Sequence, residues 1–510
     1  MKSIDRIAVL LSLVVVIIAA LVAGLVFENM AHLEDEFAYL WQGQVIAGGE
    51  LTLPSPDFPD SFLVPFVVDY QGARFAKYPL GWPVVLSLGI RVGLRDWVNP
   101  ILAGIAVWLV YRLGKRTFGE TVGLLAAALL GSSPFFLIQA GTLLSHVWSL
   151  VLCTAFTLFW IDALGTEEKQ ERWFKSAVAG LCLGVLGLTR PLTMAAIALP
   201  FGIHGILLLI RGSSRERRQV ILIGGITLGL LSLHFVWQWA LTGRFLTNPY
   251  TLWWPYDKVG FGPGYGVTEG GHSLLQGWWN TKQSLRTGLS DLFGWGKISW
   301  ILLPIGLIKA RKSKSTYLFL GILLSLVSMY AAYWIGSRLF GPRYYFEALP
   351  GLTILKALGI YWLASWFTGP ANPWKYQGGW DLVRLVFIIC CTSLLIFGNL
   401  YFYLPERIEE LKGLYGIERS DLAVFTSSEA EELTPALVIV HSELWMPYGS
   451  LLELESPTLD SPFIFAWSIG PRTDQALVEK YSEIRKVFHF YPEQEPGKLY
   501  TFPVPGYLIE

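Results

Sequence analysis

Asp35 and Glu36 stand side by side in the run His32-Leu33-Glu34-Asp35-Glu36-Phe37-Ala38-Tyr39, directly after an uninterrupted apolar stretch from Ile7 to Phe27. Two carboxylates where a chain leaves a bilayer can divide labour. One accepts a proton from a hydroxyl, and the other holds substrate or a metal. General-base help of this kind contributes about 10²–10⁴-fold and requires hydrogen-bond reach. The plainer alternative is helix N-capping, which needs one acid and works equally with Ser or Asn.

Cations complete the chemistry. Arg74 and Lys77 lie just before Pro79, Arg190 lies in Leu188-Thr189-Arg190-Pro191, and Arg343 lies in Gly341-Pro342-Arg343-Tyr344. Each has a bland reading as a side chain snorkelling to headgroups. Read together, they are preset positive charge for a departing phosphate, with Arg better suited than Lys to forked phosphate contacts. His272, at Gly270-Gly271-His272, is a candidate sugar or metal contact, with Glu36 as a possible second metal ligand. His146 reads as a histidine satisfied between helices, held as a minor candidate with Tyr39. Asp257 and Glu269 read as ordinary loop acids.

The elements that must position these residues are membrane helices. Of 510 residues, 53% are hydrophobic and 15% charged, against about 25% charged in soluble domains. Mean hydropathy is +0.47. The zero net charge gives no reason to expect nucleic acid. The four cysteines all fall in apolar runs, with no disulfide or zinc spacing. Ile7 to Phe27 is too long for the apolar core of a secretory signal, about 7–15 residues, and reads as a first span. Further runs at 97–113, 119–138, 142–162, 175–189, 191–210, 219–241, 298–309, 316–335, 344–366 and 382–403 predict about eleven spans. With the N-terminus cytoplasmic, the basic loops at Arg112–Arg116, Lys169–Lys175, Arg211–Arg218, Lys309–Lys314 and Lys375 all fall inside, as the positive-inside rule expects. The stretch 79–94 then reads as a re-entrant or interfacial helix. The segments 28–96 and 242–297 and everything after 403 face outward. Phe37, Leu40, Trp41, Gln44 and Val45 share one helical face, which predicts a short amphipathic helix lying on the membrane, with Asp35 and Glu36 at its start and Gly48-Gly49 stopping it. Residues 404–510 predict a small α/β domain, with strands at 436–441 and 462–467 and a helix at 474–484.

The order of these features resembles the GT-C-fold glycosyltransferases of the protein mannosyltransferase and aminoarabinose transferase type. The resemblance rests on Asp35-Glu36 in the first outer loop with Tyr39 and Gly48-Gly49 following, on Lys77-Tyr78-Pro79-Leu80, on Leu188-Thr189-Arg190-Pro191 and on Pro342-Arg343-Tyr344. It covers most of residues 1–366. Tyr78 stands where the family has the first proline of a pair.

The resemblance implies a polytopic all-α membrane module over 1–403 with the α/β domain at 404–510. It implies inverting transfer of a hexose or pentose from a polyprenyl-phosphate donor to a hydroxyl of a glycan, lipid or protein, with or without a divalent metal. Asp35 would be the base and Glu36 its assistant or a metal ligand. Arg74, Lys77, Arg190, Arg343 and Tyr344 would contact the lipid phosphate. The expected location is the cell membrane, multi-pass, with the C-terminal domain outside. Two rivals share the hydropathy: a flippase for the same lipid, and a glycan ligase or polymerase.

Overall fold

The computed structural model describes residues 3–165, 169–291, 300–366 and 379–504. Lys375, one of the expected basic loop residues, lies outside them. Among the described residues, each apolar run contains a helix. Among the described residues, eight helices are long and apolar enough to cross a membrane, or nine if Glu120–Gly131 and Pro134–Gly141, which meet at 59°, form one broken span. The other two runs of the expected eleven are helices without that character. Lys169–Thr189 carries Glu171, Arg172 and Lys175 near its start, and Leu302–Ala310 has only 9 residues.

Large apolar side chains on the outside of this bundle, such as Leu10, Leu13 and Ile17 on α1 (Ser3–Leu25) and Ile203, Ile206 and Ile210 on Pro191–Arg211, are exposed. Water would not tolerate so large an apolar surface, whereas hydrocarbon does. The chain is a multi-pass membrane protein. Two cations nevertheless sit buried inside helices, Lys356 in Leu349–Trp366 and Arg384 in Gly379–Phe397.

The segment between the first two spans builds the frame for the candidate residues. Helix α2 (Glu34–Ala47) ends at Gly48-Gly49 as expected, with Gly49 at a φ of 96°. It does not lie on a surface. Phe37, Ala38, Tyr39, Leu40 and Trp41 are consecutive and all buried, because a helix that is apolar on every side must be covered on every side. One cover is α3 (Gly81–Arg91), whose 11 residues extend about 16 Å, too short for a hydrocarbon layer of about 30 Å.

Between α2 and α3, a three-stranded antiparallel sheet runs in the order β1 (Leu53–Pro54), β3 (Ala73–Ala76), β2 (Val67–Tyr70). Gln71 and Gly72, with φ of 52° and 81°, make the tight turn joining β2 to β3, the backbone that a twisted two-residue hairpin requires. Lys77 follows the last residue of β3 and is thereby fixed by the sheet.

The C-terminal part forms a four-stranded sheet in the order β5 (Phe463–Trp467), β4 (Ala436–Val440), β6 (Lys486–Phe490), β7 (Leu499–Tyr500). β4 is parallel to both neighbours and all five of its residues are buried, as expected of a central parallel strand. The accompanying helix is Pro471–Tyr481, three residues earlier than expected. This sheet is tied to the first loop. Phe62 packs with Leu437, Ile439 and Ile464, Trp445 meets Phe37 edge-on at 5.5 Å, and Arg95 pairs with Glu453 at 2.8 Å.

Candidate active site

Asp35 lies in the first turn of α2, where the helix dipole favours a negative charge. One carboxylate oxygen accepts a hydrogen bond from the Tyr78 hydroxyl. The other accepts from Arg343 Nη1 at 2.8 Å. Burial acts to raise the Asp35 carboxyl, but Arg343, Tyr78 and Lys77 outweigh it and hold the group below the usual carboxylate range. It is therefore an ionised acceptor at neutral pH. Its two oxygens have about four lone-pair sites, so the two contacts leave room for a substrate proton.

Lys77 is more deeply held. Its ammonium lies 3.2 Å from Asp257 Oδ2, with both side chains almost wholly buried. It also lies 3.5 Å from the centre of the Phe66 ring and 4.8 Å from that of Trp254. Asp257 Oδ1 in turn accepts from the Tyr333 hydroxyl at 2.7 Å and Trp334 Nε1 at 3.1 Å. Asp257 is thus the counter-charge of Lys77 and not a loose loop acid.

Arg190 completes the positive side. It reaches the Tyr330 hydroxyl at 3.2 Å and Thr193 Oγ1 at 3.2 Å. Tyr330 stacks on Tyr344 at 4.5 Å, and Tyr344 follows Arg343. Tyr39 packs on Tyr78 at 4.6 Å and lies 3.3 Å from Ser145 Oγ. The structure therefore brings Asp35, Lys77, Arg190, Arg343, Tyr344 and Tyr39 into one neighbourhood, and adds Tyr78, Asp257, Tyr330 and Tyr333. Tyr78, a departure from the family pattern, is the direct partner of Asp35.

Four expected residues sit elsewhere or do something else. Glu36 is buried, and its oxygens accept from three backbone amides: His32 and Leu33 at 3.1 and 3.0 Å, and Leu143 at 2.7 Å. Its carboxylate fastens the start of α2 to residue 143. Arg74 is buried on the far side of β3. It donates to the Phe62 carbonyl, lies 3.5 Å from Asp69 and sits over the Trp41 ring, so it is not among the phosphate-facing cations. His146 is buried, and neither ring nitrogen has a hydrogen-bond partner, so it is not satisfied between helices as expected. His272 stacks on Phe261 at 5.1 Å, and its Nε2 is 3.0 Å from the Ala331 carbonyl.

These residues do not fit a divalent metal. Glu36 and His272 are engaged by different parts of the backbone, and Asp35 is flanked by a cation and a phenol. Among the described residues no three His, Cys, Asp or Glu side chains group as a metal site would require.

The architecture matches known structures. The family model for the N-terminal part of the oligosaccharyl transferase STT3 matches residues 91–246. No curated protein sequence matches the chain. Among solved structures, ArnT from Cupriavidus metallidurans bound to undecaprenyl phosphate is 13% identical over 94% of this chain and 89% of that one, with a TM-score of 0.59. The same protein in its apo state gives 13% identity, coverages of 92% and 88%, and a TM-score of 0.57. AglB from Archaeoglobus fulgidus, in complex with an inhibitory peptide and a dolichol-phosphate, is 13% identical over 89% of this chain and 64% of that one, with a TM-score of 0.47. The fold is that of the GT-C membrane glycosyltransferases.

Proposed function

We propose that this chain is an inverting glycosyltransferase that moves a sugar from a polyprenyl-phosphate carrier to an acceptor hydroxyl. One observation carries the reading: an ionised carboxylate, Asp35, touches Arg343 inside a cluster that also holds Lys77 and Arg190. A base and a phosphate-binding set share one small volume, as a single displacement requires. That the ArnT structure holds undecaprenyl phosphate supports the same class of donor.

In the reaction, the acceptor hydroxyl gives its proton to Asp35 while its oxygen attacks the anomeric carbon. The bond from that carbon to the phosphate oxygen breaks on the opposite face, and the electron pair leaves with the polyprenyl phosphate. Arg343 and Arg190 stabilise the charge gathering on that phosphate. Preset donors of this type are worth about 10²–10³-fold each. Lys77, locked to Asp257, contributes its field. Arg343 changes partner: it neutralises Asp35 in the free enzyme and is drawn to the lipid phosphate on binding, which frees the base. By the charge distribution of the loops, the site faces the extracytoplasmic side of the cell membrane, and the 404–510 region lies there with it.

The test is turnover of defined donors. Purified protein in liposomes is given polyprenyl-phosphate hexoses and pentoses with a range of glycan, lipid and peptide acceptors. Release of polyprenyl phosphate with inversion at the anomeric carbon, read by NMR, is the expected result. Lipid crossing the bilayer with its sugar still attached would instead identify a flippase, and consumption only of pyrophosphate-linked oligosaccharides would identify a ligase or polymerase.

A further inference from the structure

The loop that supplies Asp257 also forms one wall of a cleft that the transfer chemistry leaves unused. Its volume is about 420 Å³, within the range of small-molecule sites, about 300–1,000 Å³. The rings of Tyr265, Trp279 and Trp334 line it, and the amides of Gln276, Asn280 and Gln283 lie along the helix Leu274–Asp291 at its side. Arg338 stands at the edge, exposed.

These walls are built before any ligand arrives. Asn280 Nδ2 donates to the Trp334 carbonyl at 3.0 Å. Gly266, at a φ of 77°, lets the backbone run so close to Trp334 that a Cβ would come within 2.8 Å of it. Trp334 also links the cleft to the reaction centre, because its indole N–H donates to the carboxylate that pairs with Lys77. A ligand in the cleft therefore lies next to the charge cluster without occupying it.

The lining selects a chemistry. Flat aromatic faces suit the apolar faces of a sugar ring, and amides offer both donors and acceptors to its hydroxyls. Arg338 has no ion-pair or hydrogen-bond partner for its guanidinium among the described residues, and no carboxylate lines the cleft. Among the described residues, a positively charged substituent would face Arg338 with no carboxylate in the lining to offset it, and a negative one would be held by it.

We propose that this cleft is a carbohydrate subsite for a pyranose ring bearing an acidic substituent, discriminating against amino sugars through Arg338 and the missing carboxylate. The assignment rests on the sugar-transfer reading for its biological sense, and on the cleft alone for its chemistry. The ring belongs either to the donor headgroup or to the acceptor glycan.

Binding decides it. The full chain in nanodiscs is titrated with a glucuronate oligosaccharide and its glucose and glucosamine counterparts, followed by calorimetry and tryptophan fluorescence. Glucuronate is expected to bind at least about tenfold more tightly than glucosamine, a difference of about 1.4 kcal/mol. Arg338→Gln abolishes that preference, and Trp279→Ala, at a side chain already half exposed, weakens the acidic and neutral sugars alike. Competition between the soluble glucuronate glycan and polyprenyl-phosphate-linked glucuronate supports a donor-headgroup subsite, and simultaneous binding supports an acceptor subsite. Absence of glucuronate binding at millimolar concentration, equal affinity for glucosamine, or indifference to both substitutions would overturn the proposal. Asp35→Asn is expected to retain cleft binding. Glycan binding without any transfer would therefore defeat only the transferase reading, and transfer without cleft binding would defeat only this one.

Discussion

Asp257→Asn isolates one charge. The variant keeps the Oδ1 that accepts from Tyr333 and Trp334 at 2.7 and 3.1 Å and removes only the negative charge opposite Lys77. Breaking a buried ion pair by neutralising one member costs about 3–5 kcal/mol. Here an upper limit follows independently. The variant can always fold with Lys77 neutral, and taking a proton from a lysine of ordinary value, about 10.4, at pH 7 costs about 4.6 kcal/mol at about 1.36 kcal/mol per pH unit. At pH 9.5 that limit falls to about 1.2 kcal/mol.

The direction agrees with the wild-type site. Burial already holds the Lys77 ammonium below its usual value, although Asp257 and Asp35 oppose the shift. The folded state binds fewer protons there than the unfolded chain, so the penalty is complete at low pH and is relieved as pH rises toward the unfolded value. Without Asp257 the window extends further down. Equilibrium unfolding of both proteins in mixed detergent micelles, at pH 7 and pH 9.5, reads the difference. The expected destabilisation is about 3–4.5 kcal/mol at the lower pH, beneath the deprotonation limit, and about 1 kcal/mol at the higher. A cost that is the same at both would refute the buried-charge argument, and so would a cost below about 1 kcal/mol at pH 7.

Three further outcomes follow from the contacts. Arg343→Gln removes the strongest influence holding the Asp35 carboxyl down, so the acid limb of the pH–rate profile moves to higher pH. Its kcat/KM falls by about 10²–10³-fold through the lost phosphate contact. Glu36→Gln leaves one oxygen for three backbone amides and is expected to cost about 1–3 kcal/mol of stability; unfolding measurements should show that loss, with kcat in surviving protein close to wild type. In the C-terminal sheet region, burial pushes the Glu455 carboxyl up to about 7, opposed by the Phe465 amide at 2.7 Å and by Arg74. Its favourable protonated state is complete below the unfolded value and is lost as pH rises through about 7. Glu455→Gln keeps the acceptor for the amide, so the variant is expected to be more stable than wild type at pH 8 by about 2–3 kcal/mol and no more stable at pH 4, which unfolding curves at the two pH values will show.

Much of this arrangement was legible in the chain because membranes impose strong patterns. Apolar length marked the helices. Charges at the wrong end of a span marked Arg190 and Arg343, and the Asp35-Glu36 pair marked the start of α2. The rest depended on packing. Asp257 and Glu269 both stand in the second outer segment, and the fold brings Asp257 against Lys77, 180 positions away. The aromatic run Trp253-Trp254-Pro255-Tyr256 just before Asp257 was the available signal of a buried acid. Glu36 and Asp35 are neighbours, yet about 100° apart around the helix, so one faces backbone amides while the other faces Arg343. Arg74 and Lys77 differ in the same way: Arg74 lies on the strand, and Lys77 follows its end. The strands β1, β2 and β3 are two to four residues long, too short for an alternation to show.

The most direct test of Asp35 as the base compares wild type with Asp35→Asn in two assays on the same preparation: affinity for a polyprenyl-phosphate sugar, and the rate at which that sugar reaches an acceptor. The account predicts donor affinity within about tenfold of wild type and transfer reduced by about 10²–10⁴-fold. Transfer at the wild-type rate in Asp35→Asn would contradict it.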